Sequence, residues 1–247
     1  MVEFAMMQNV AVVTGAAKGL GKAIAFFLTR EGYVIAVHFK KSKAEAEAVI
    51  SKIKKKSPKS ILISGDLTDE KQVETMFNQI HNKLGQVDLL VNNVGNFLYK
   101  EFSKTTNSEF KDVIESNIYS ALFCSRAVLP KMRKQKSGYI INIGAAGADK
   151  IQILEKSTPY YMAKAALYSL TKIMAWEEAK YGIHINMVSP ASLETDIFGA
   201  SDFQMARSAN YQDVIKVLRF LTSADAYYIN GANIEVAGAF IPGMNRG

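Results

Sequence analysis

Short apolar segments alternate with amphipathic ones along the chain, and this alternation constrains the fold more than any other feature. The segment 9–14 is apolar, β-branched and followed by glycine, as expected of a buried parallel strand. Similar strand segments follow at 33–39, 61–66, 87–94, 139–144, 183–188 and 233–237. Helix-like segments lie between them, ending near 31 and covering 43–56, 68–84, about 106–134, 160–180 and 212–222. The order predicts right-handed βαβ units in a Rossmann-type, doubly wound α/β sheet of about seven parallel strands, with helices on both faces.

The chain of 247 residues has no Pro/Gly-rich linker and no repeat, which predicts a single domain over residues 1–247. It has no run of 18 apolar residues, and Glu3 near its start is unlike the basic region of a secretory signal. Its one cysteine, Cys124, cannot form an intramolecular disulfide and is expected in the core. Together these features predict a cytoplasmic protein.

The net charge is +7, and much of the positive charge falls in two basic clusters. The first comprises Lys40, Lys41, Lys43, Lys52, Lys54, Lys55, Lys56 and Lys59, and the second Lys131, Arg133, Lys134 and Lys136. They are either a solvated surface or an attraction for an anion such as a cofactor phosphate or an acidic carrier protein. Without interleaved aromatic residues they do not predict nucleic-acid binding. The three histidines, His38, His81 and His184, lack metal-ligand spacing, so no metal is expected.

A glycine-rich turn joins the first strand to the first helix. Gly15, Gly19 and Gly21, with Leu20 between the last two, form the pattern Gly-x-x-x-Gly-x-Gly. Such a turn lets backbone N–H groups approach a pyrophosphate at a helix N-terminus. The spacing differs from the usual Gly-x-Gly-x-x-Gly fingerprint, so a purely structural turn is the alternative.

The end of the second strand indicates which dinucleotide would bind. A site for NAD usually has a carboxylate there for the ribose 2′-hydroxyl, and residues 37–42 contain none. Lys40 and Ser42 at this end, with Lys18 in the glycine turn, suit a 2′-phosphate instead. We therefore expect NADP(H).

Two more strand ends carry candidate cofactor contacts. Asp66 and Leu67 end the third strand, where the carboxylate suits either the adenine amine or the dipole of the next helix. Asn93 and Gly95 follow the fourth strand, and a glycine there permits close approach to a flat ligand.

Tyr160 and Lys164 are four residues apart at the start of a predicted helix, so they share one face. A phenol beside an ammonium can transfer protons, because the cation favours the ionised phenol. The alternative is an ordinary amphipathic helix with a surface lysine.

Taken in order, these motifs resemble the short-chain dehydrogenase/reductase superfamily over residues 9–239, and the segments 129–133, 182–186 and 228–231 resemble most of all its bacterial 3-oxoacyl-[acyl-carrier-protein] reductases. The motifs are Thr-Gly-x-x-x-Gly-x-Gly from Thr14, Asp66-Leu67, Asn-Asn-Val-Gly from Asn92, Asn117, Tyr160-x-x-x-Lys164 and Ser-Pro-Ala from Ser189.

The resemblance implies an NADPH-dependent enzyme that reduces a carbonyl, above all that of a 3-oxoacyl thioester, with a substrate that is either a small molecule or bound to an acyl-carrier protein. Tyr160 would donate the proton, and Lys164 would bind the ribose and lower the pKa of Tyr160. Asn117 would hold a water molecule. Asn93, Leu193 and Thr195 would contact the cofactor. It also implies a short substrate lid around 193–210 and a homotetramer (or homodimer).

One catalytic position departs from the family pattern. The usual serine after the fifth strand is Ala145, and residues 144–146 carry no hydroxyl. Ser157, Thr158 or Tyr99 would be a substitute donor, or the substrate would need only Tyr160. The remaining alternatives are a different small carbonyl or pteridine-type substrate, or a catalytically weakened NADPH-binding protein with a regulatory role.

Overall fold

Seven parallel strands form one sheet in the computed structural model, which describes residues 8–150, 154–193, 204–205 and 207–241. The strands are β1 (Val10–Val13), β2 (Val34–Phe39), β3 (Ile61–Ser64), β4 (Leu89–Asn92), β5 (Gly138–Ile143), β6 (Ile183–Pro190) and β7 (Asn233–Val236). Their order is β3-β2-β1-β4-β5-β6-β7, and every neighbouring pair is parallel. The predicted fold class is confirmed.

Helices cover both faces of this sheet. They are α1 (Gly19–Arg30), α2 (Lys43–Lys54), α3 (Glu70–Leu84), α4 (Asn107–Ile114), α5 (Ser120–Gln135), α6 (Thr158–Glu178) and α7 (Tyr211–Leu221). The single helix expected over about 106–134 is wrong in one respect, because a π-helical turn at Glu115–Tyr119 separates α4 from α5. Within the described part of the chain, no helix has the length and hydropathy required to cross a bilayer.

The helix ends follow local sequence rules. A capping box precedes α4, since Thr106 accepts from the backbone of Glu109 and the Glu109 carboxylate accepts from the backbone of Thr106. Asn210 and Asp213 form a second capping box before α7. α1 differs, because Lys18 at its N-cap makes no side-chain capping bond and its first turn has no acidic residue.

The five central strands, β1, β2, β4, β5 and β6, are buried on both sides, as a doubly wound sheet requires, whereas the edge strands β3 and β7 are mostly half-buried. Ala11 and Val13 of β1 pack on the face covered by α1, α2 and α7, whereas Val10 and Val12 pack on the face covered by α3, α5 and α6. Cys124 lies in this second core and is fully buried, as expected from the sequence.

A buried polar network connects the centre of the sheet to α6. The side-chain amide of Asn92 on β4 donates to the Asn142 side chain on β5 at 2.9 Å. Asn142 in turn donates to Thr171 Oγ1 on α6 at 2.8 Å. Asn92 also donates to Ser125 Oγ on α5, at 3.2 Å. Two strands and two helices are therefore fixed relative to one another beneath the carboxyl edge of the sheet.

The strand order reverses between β1 and β4. β2 and β3 lie on one side of β1, and the later strands lie on the other. In open α/β sheets the ligand crevice forms outside the carboxyl ends of the strands at this point. Two adjoining clefts occur there, and they contain most of the residues that the sequence singled out.

Candidate active site

One group of candidate residues lies in what we call the catalytic cleft, at the carboxyl ends of β4, β5 and β6. Its lining comprises Leu20, Asn93, Gly95, Phe97, Ile143, Gly144, Ala145, Leu154, Tyr160, Tyr161, Lys164, Pro190, Ala191, Ser192, Leu193 and Phe240. Six of the predicted site residues are therefore brought together: Leu20, Asn93, Gly95, Tyr160, Lys164 and Leu193.

The second cleft, which we call the phosphate cleft, lies at the ends of β1, β2 and β3. Another six predicted residues line it: Gly15, Lys18, Lys40, Ser42, Asp66 and Leu67. Thr195 lies outside the described residues, as does most of the predicted lid around 193–210. Of that segment, Leu193 forms an isolated β-bridge with Ala209.

The glycine turn between β1 and α1 needs glycine for two reasons. Gly15 and Gly19 have φ values of +63° and +52°, in the left-handed region that side chains disfavour. A Cβ on Gly21 would lie 2.5 Å from the Gly15 carbonyl oxygen, so α1 packs directly on the turn. This tight turn exposes the uncapped N-terminus of α1 to the crevice. Uncapped N–H groups at the positive end of a helix dipole fit a pyrophosphate.

Hydrogen bonds with two residues outside the turn, Asn93 and His38, hold it in place. The Thr14 carbonyl accepts from Asn93 Nδ2 at 2.9 Å, and Thr14 Oγ1 accepts from the Asn93 backbone at 2.8 Å. Asn93 therefore joins the glycine turn to the end of β4. This contact places the two clefts against each other.

His38, at the end of β2, is the second residue that holds the turn in place. Its role was not predicted from the sequence, because no metal-like spacing marks it. Its Nδ1 accepts from the Gly15 N–H at 3.1 Å, so its Nε2 carries the proton and donates to the Gly65 carbonyl at 3.0 Å. Burial lowers the pKa of His38 to about 4. The ring is thus neutral near pH 7, and it holds the ends of three strands together.

Two of the three lysines that line the phosphate cleft, Lys18 and Lys40, are paired with carboxylates. Lys40 Nζ lies 2.6 Å from Asp66 Oδ2, and Lys18 Nζ lies 2.7 Å from Glu45 Oε1. About half of the Lys40 side chain is exposed, and such surface pairs contribute little to stability. An incoming phosphate would therefore exchange for either carboxylate at small cost.

The catalytic half of the site is built on α6. Lys164 is only 4% exposed, and its Nζ donates to the Ile143 carbonyl at 2.7 Å. The same Nζ lies 5.4 Å from the centroid of the Tyr160 ring. Burial lowers the pKa of Lys164 to about 7, well below its ordinary value.

Tyr160 behaves differently from the expectation. Burial, followed by the neighbouring Tyr161, raises the pKa of Tyr160 above its ordinary value. The predicted lowering of that pKa by Lys164 is wrong for this structure, because desolvation of the phenol dominates and the ammonium points to the Ile143 carbonyl. The Phe97 ring meets Tyr160 edge-on, with 4.8 Å between ring centroids, and adds an aromatic wall that the sequence did not indicate.

Asn117 lies in the π-helical turn and is fully buried. Its Nδ2 donates to the carbonyls of Asn96 and Val113 at 2.9 and 2.8 Å. A side chain on Gly95 would overlap the Asn117 amide, so this pair requires glycine at position 95. Asn117 therefore supports the floor of the site from outside the lining, and its predicted water-holding role stays a prediction.

No hydroxyl replaces the family serine at the expected place. Ala145 lines the cleft, and a Cβ on Gly144 would overlap the side chains of Met187 and Ser189, so position 144 tolerates no side chain.

The three substitute donors named from sequence are wrong in position. Ser157 is fully buried, and its Oγ donates to the Leu154 carbonyl at 2.7 Å. Thr158 and Tyr99 also lie outside the lining of the catalytic cleft. The Tyr99 hydroxyl instead lies 3.5 Å from Glu155 Oε1.

Tyr161 was missed, although it follows Tyr160 directly in the sequence. It lines the catalytic cleft, and its hydroxyl donates to the Ala146 carbonyl at 3.3 Å. Its ring lies 5.8 Å from that of Tyr160, at an angle of 81°. The Tyr-Tyr pair was the only signal in the sequence.

A glycine turn that exposes a helix N-terminus, adjoining a Tyr-x-x-x-Lys pair at the switch point of a doubly wound sheet, defines a nicotinamide-dinucleotide oxidoreductase of the Rossmann class. Among the described residues, no group of His, Cys, Asp and Glu side chains could hold a metal ion. The sequence model of the short chain dehydrogenase family matches residues 9–205, and the chain belongs to that family.

Curated relatives match this chain over nearly its whole length. The 3-oxoacyl-[acyl-carrier-protein] reductase FabG of Staphylococcus aureus (strain N315) is 34% identical, over 94% of this chain and 98% of the relative. FabG of Haemophilus influenzae is 32% identical, with the same shares of each chain covered.

Solved structures have the same fold. Acetoin dehydrogenase YohF from Salmonella typhimurium has a TM-score of 0.87 and 27% identity, covering 97% of this chain and 99% of that one. A gluconate 5-dehydrogenase from Burkholderia cenocepacia, in complex with NADP and tartrate, also has a TM-score of 0.87. It covers 94% of each chain, but at 22% identity it shows the fold alone.

Proposed function

We propose that this short-chain dehydrogenase is an NADPH-dependent carbonyl reductase with Tyr160 as the proton donor. One observation carries the proposal: Tyr160 and Lys164 line the same cleft as Asn93 and Leu193, next to the uncapped N-terminus of α1. A dinucleotide with its pyrophosphate at α1 and its far end between these residues fits this arrangement. When bound, NADPH supplies the hydride.

The protein's own residues supply the proton. Because the pKa of Tyr160 is raised, its phenol remains protonated near pH 7 and is ready to donate to a carbonyl oxygen. Lys164 lies one helical turn away and would bind the ribose hydroxyls in place of the Ile143 carbonyl. Its ammonium would then favour the phenolate that forms as the proton leaves. This charge arrangement favours reduction.

The choice of NADPH rests on the phosphate cleft. Lys18, Lys40 and Ser42 line it, and no carboxylate stands at the end of β2 where an NAD site would have one. The ion pairs of Lys18 and Lys40 are exposed and exchangeable. Asp66, released from Lys40, would be free to accept from the adenine amine.

For the substrate we propose a 3-oxoacyl thioester, on a small carrier or an acyl-carrier protein. Support comes from the FabG relatives at 34% identity and from the basic cluster Lys131, Lys134 and Lys136, which would attract an acidic carrier. Arg133 of that cluster is already bound to Glu178, with Nε 2.7 Å from Oε2. Carrier attraction would therefore depend on the three lysines.

A small ketone is the second candidate substrate. The likeness to an acetoin dehydrogenase supports it, as does a lining that brings Phe97, Tyr160, Tyr161 and Phe240 around the reacting position. Aromatic walls suit a compact substrate as well as the start of an acyl chain.

We also propose a homotetramer or homodimer. Trp176 and Ile173 on α6 are 87% and 57% exposed, and large apolar side chains of this kind are typical of interfaces.

NADPH consumption with acetoacetyl thioesters, acetoin and a panel of ketones tests the function. We expect turnover by the wild-type protein, faster with NADPH than with NADH, and turnover at least about 100-fold slower by Tyr160→Phe. Tight NADPH binding without turnover of any carbonyl would overturn the reductase and favour the regulatory alternative. A preference for acetoin over every thioester would favour the second candidate.

A further inference from the structure

The catalytic cleft lacks a hydroxyl at residues 144–146 but receives one from α6. We infer that Tyr161 is a second hydrogen-bond donor to the substrate carbonyl oxygen and takes over the task of the side chain missing at Ala145. The inference rests on the proposed carbonyl reduction and extends it by one catalytic residue.

The position of the Tyr161 hydroxyl is the first argument. It donates to the carbonyl of Ala146, the residue that directly follows Ala145. Tyr161 and Ala145 both line the cleft, and the Tyr161 ring is 5.8 Å from that of the proton donor Tyr160. Two phenols thus line one cleft from consecutive residues of the same helix turn, and Ala145 in the same lining offers only a methyl group.

The second argument is that this hydroxyl is available. Its bond to the Ala146 carbonyl is 3.3 Å long, against about 2.7–2.8 Å for a typical O–H···O bond, and is therefore weak. A phenolic O–H turns about its C–O bond, so the proton can move from the Ala146 carbonyl to a substrate oxygen without displacing the ring. Burial, followed by the charge of Glu235, raises the pKa of Tyr161 to about 12, which keeps the proton in place.

The third argument is that other hydroxyls fit less well. Ser157 is buried and bonded to the Leu154 carbonyl, and Thr158 and Tyr99 lie outside the lining. Ser192 does line the cleft, but it stands in the loop after β6, next to Leu193. It adjoins Leu193, which is proposed to contact the cofactor. Ser192 is therefore the competitor that an experiment has to separate from Tyr161.

The hydrogen bonds imply different roles for the two phenols. Tyr160 transfers its proton to the carbonyl oxygen, whereas Tyr161 keeps its proton and donates a hydrogen bond to the same oxygen as negative charge develops. A donor that strengthens with that charge stabilises the transition state more than the bound ketone, so it raises kcat rather than lowering KM.

The test compares four variants with the wild-type protein. Tyr161→Phe removes one oxygen and keeps the ring, Ser192→Ala removes the competitor, and Tyr168→Phe removes a phenol from α6 outside the cleft. Ala145→Ser/Tyr161→Phe restores a hydroxyl at the family position. For each we would measure kcat and KM with the best carbonyl substrate, the Kd for NADPH and the melting temperature.

We expect Tyr161→Phe to lose about 100-fold in kcat, with KM, the NADPH Kd and the melting temperature near wild type. Tyr168→Phe should stay within about threefold of wild type, Ser192→Ala should lose at least about tenfold less kcat than Tyr161→Phe, and the double variant should regain at least about tenfold over Tyr161→Phe. Rescue at position 145 distinguishes a donor from a packing residue, since a displaced Tyr160 would not respond to a new serine.

An unchanged kcat in Tyr161→Phe would overturn the assignment, as would a change confined to KM, an absence of rescue, or a loss that appears in Ser192→Ala instead. These results leave the reductase function intact. If the wild-type protein turns over no carbonyl while it binds NADPH, the proposed function itself fails and this assignment fails with it.

Discussion

The two clefts hold their positive charges in opposite ways. In the phosphate cleft, Lys40 and Lys18 are exposed and each is paired with a carboxylate. In the catalytic cleft, Lys164 is 4% exposed and bonded only to a neutral carbonyl among the described contacts. The ion pairs of Lys40 and Lys18 are easily exchanged, whereas burial lowers the pKa of Lys164 to about 7, so the charge of Lys164 is conditional.

This difference in burial between the two sets of lysines shows how one edge of the sheet can support both ligand binding and proton transfer. A group that selects a ligand by charge works best in water, where partner exchange costs little. A group that changes its protonation state needs burial, which brings its pKa toward the working pH. The predictions that follow test this contrast, beginning with the largest expected effect.

Tyr160→Phe should reduce kcat by about 10²–10⁴-fold, because it removes the proposed proton donor while keeping the ring against Phe97. NADPH affinity should stay near wild type, since the phosphate cleft is untouched. Stopped-flow absorbance and a fluorescence titration measure the two quantities. Retention of more than a tenth of the activity would show that proton transfer does not depend on this side of the crevice.

Lys164→Met should reduce turnover by about 100-fold or more and yet stabilise the fold at pH 7. The wild-type fold has to bury an ammonium whose pKa is lowered from 10.5 to about 7, which costs roughly 3–5 kcal/mol at one pK unit per 1.36 kcal/mol. Part of the gain is offset by the lost bond to the Ile143 carbonyl, so a net increase of about 1–3 kcal/mol is expected.

The pH dependence of the free energy of unfolding is the control for the prediction about Lys164→Met. Between about pH 7 and 10.5 the folded Lys164 binds fewer protons than the unfolded one, so its contribution to the free energy of unfolding rises with pH. Lys164→Met lacks that rise, and its advantage should shrink from pH 7 to pH 10 in paired denaturant titrations. A constant difference between the two proteins would mean that Lys164 keeps an ordinary pKa.

His38→Leu should destabilise the protein by about 1–3 kcal/mol, because the Gly15 N–H and the Gly65 carbonyl both lose their partner. The pyrophosphate turn should loosen as well, so affinity should fall for NADPH and NADH by the same factor. Thermal unfolding and cofactor titrations check this. An effect on one cofactor only would place His38 in the recognition of the 2′-phosphate.

Lys40→Ala should weaken NADPH binding by about tenfold and leave NADH binding almost unchanged, as expected for the loss of one exposed charge-assisted bond. Lys43→Ala is the matched control, since Lys43 lies on the same surface, pairs with Glu47 and does not line the phosphate cleft. Equal losses for both variants would indicate a general field of the basic surface and would remove the specific role of Lys40.

Patterns within short segments were enough to predict the sheet and most of the helices. Apolar runs such as 9–14 and 183–188 identify buried strands because the signal lies within one segment. The break at Glu115–Tyr119 was not predictable in this way, since a π-helical turn results from packing and leaves no local propensity signal.

The site residues, too, could be predicted from the sequence only where the signal lies within one short segment. The glycine turn and the Tyr160–Lys164 spacing are local, and the sequence placed them in one site. The partners of His38, the Lys40–Asp66 pair and the position of Tyr161 beside Ala146 depend on strands and helices distant in sequence. The direction of the Tyr160 pKa shift was wrong for the same reason, because desolvation is a property of the packed site.

The buried side-chain amides of Asn92 and Asn142 beneath the catalytic cleft determine what fraction of the molecules hold α6 in the active position. If α6 slid along the sheet by one residue, Asn142 would lose Thr171 and at least one buried polar group would remain unpaired. At about 1–3 kcal/mol for such a group, the displaced arrangement would be roughly 5- to 150-fold less populated. The reacting side chains therefore occupy one position along the axis of α6. Tyr160 and Lys164 are already aligned in nearly every molecule that a substrate encounters.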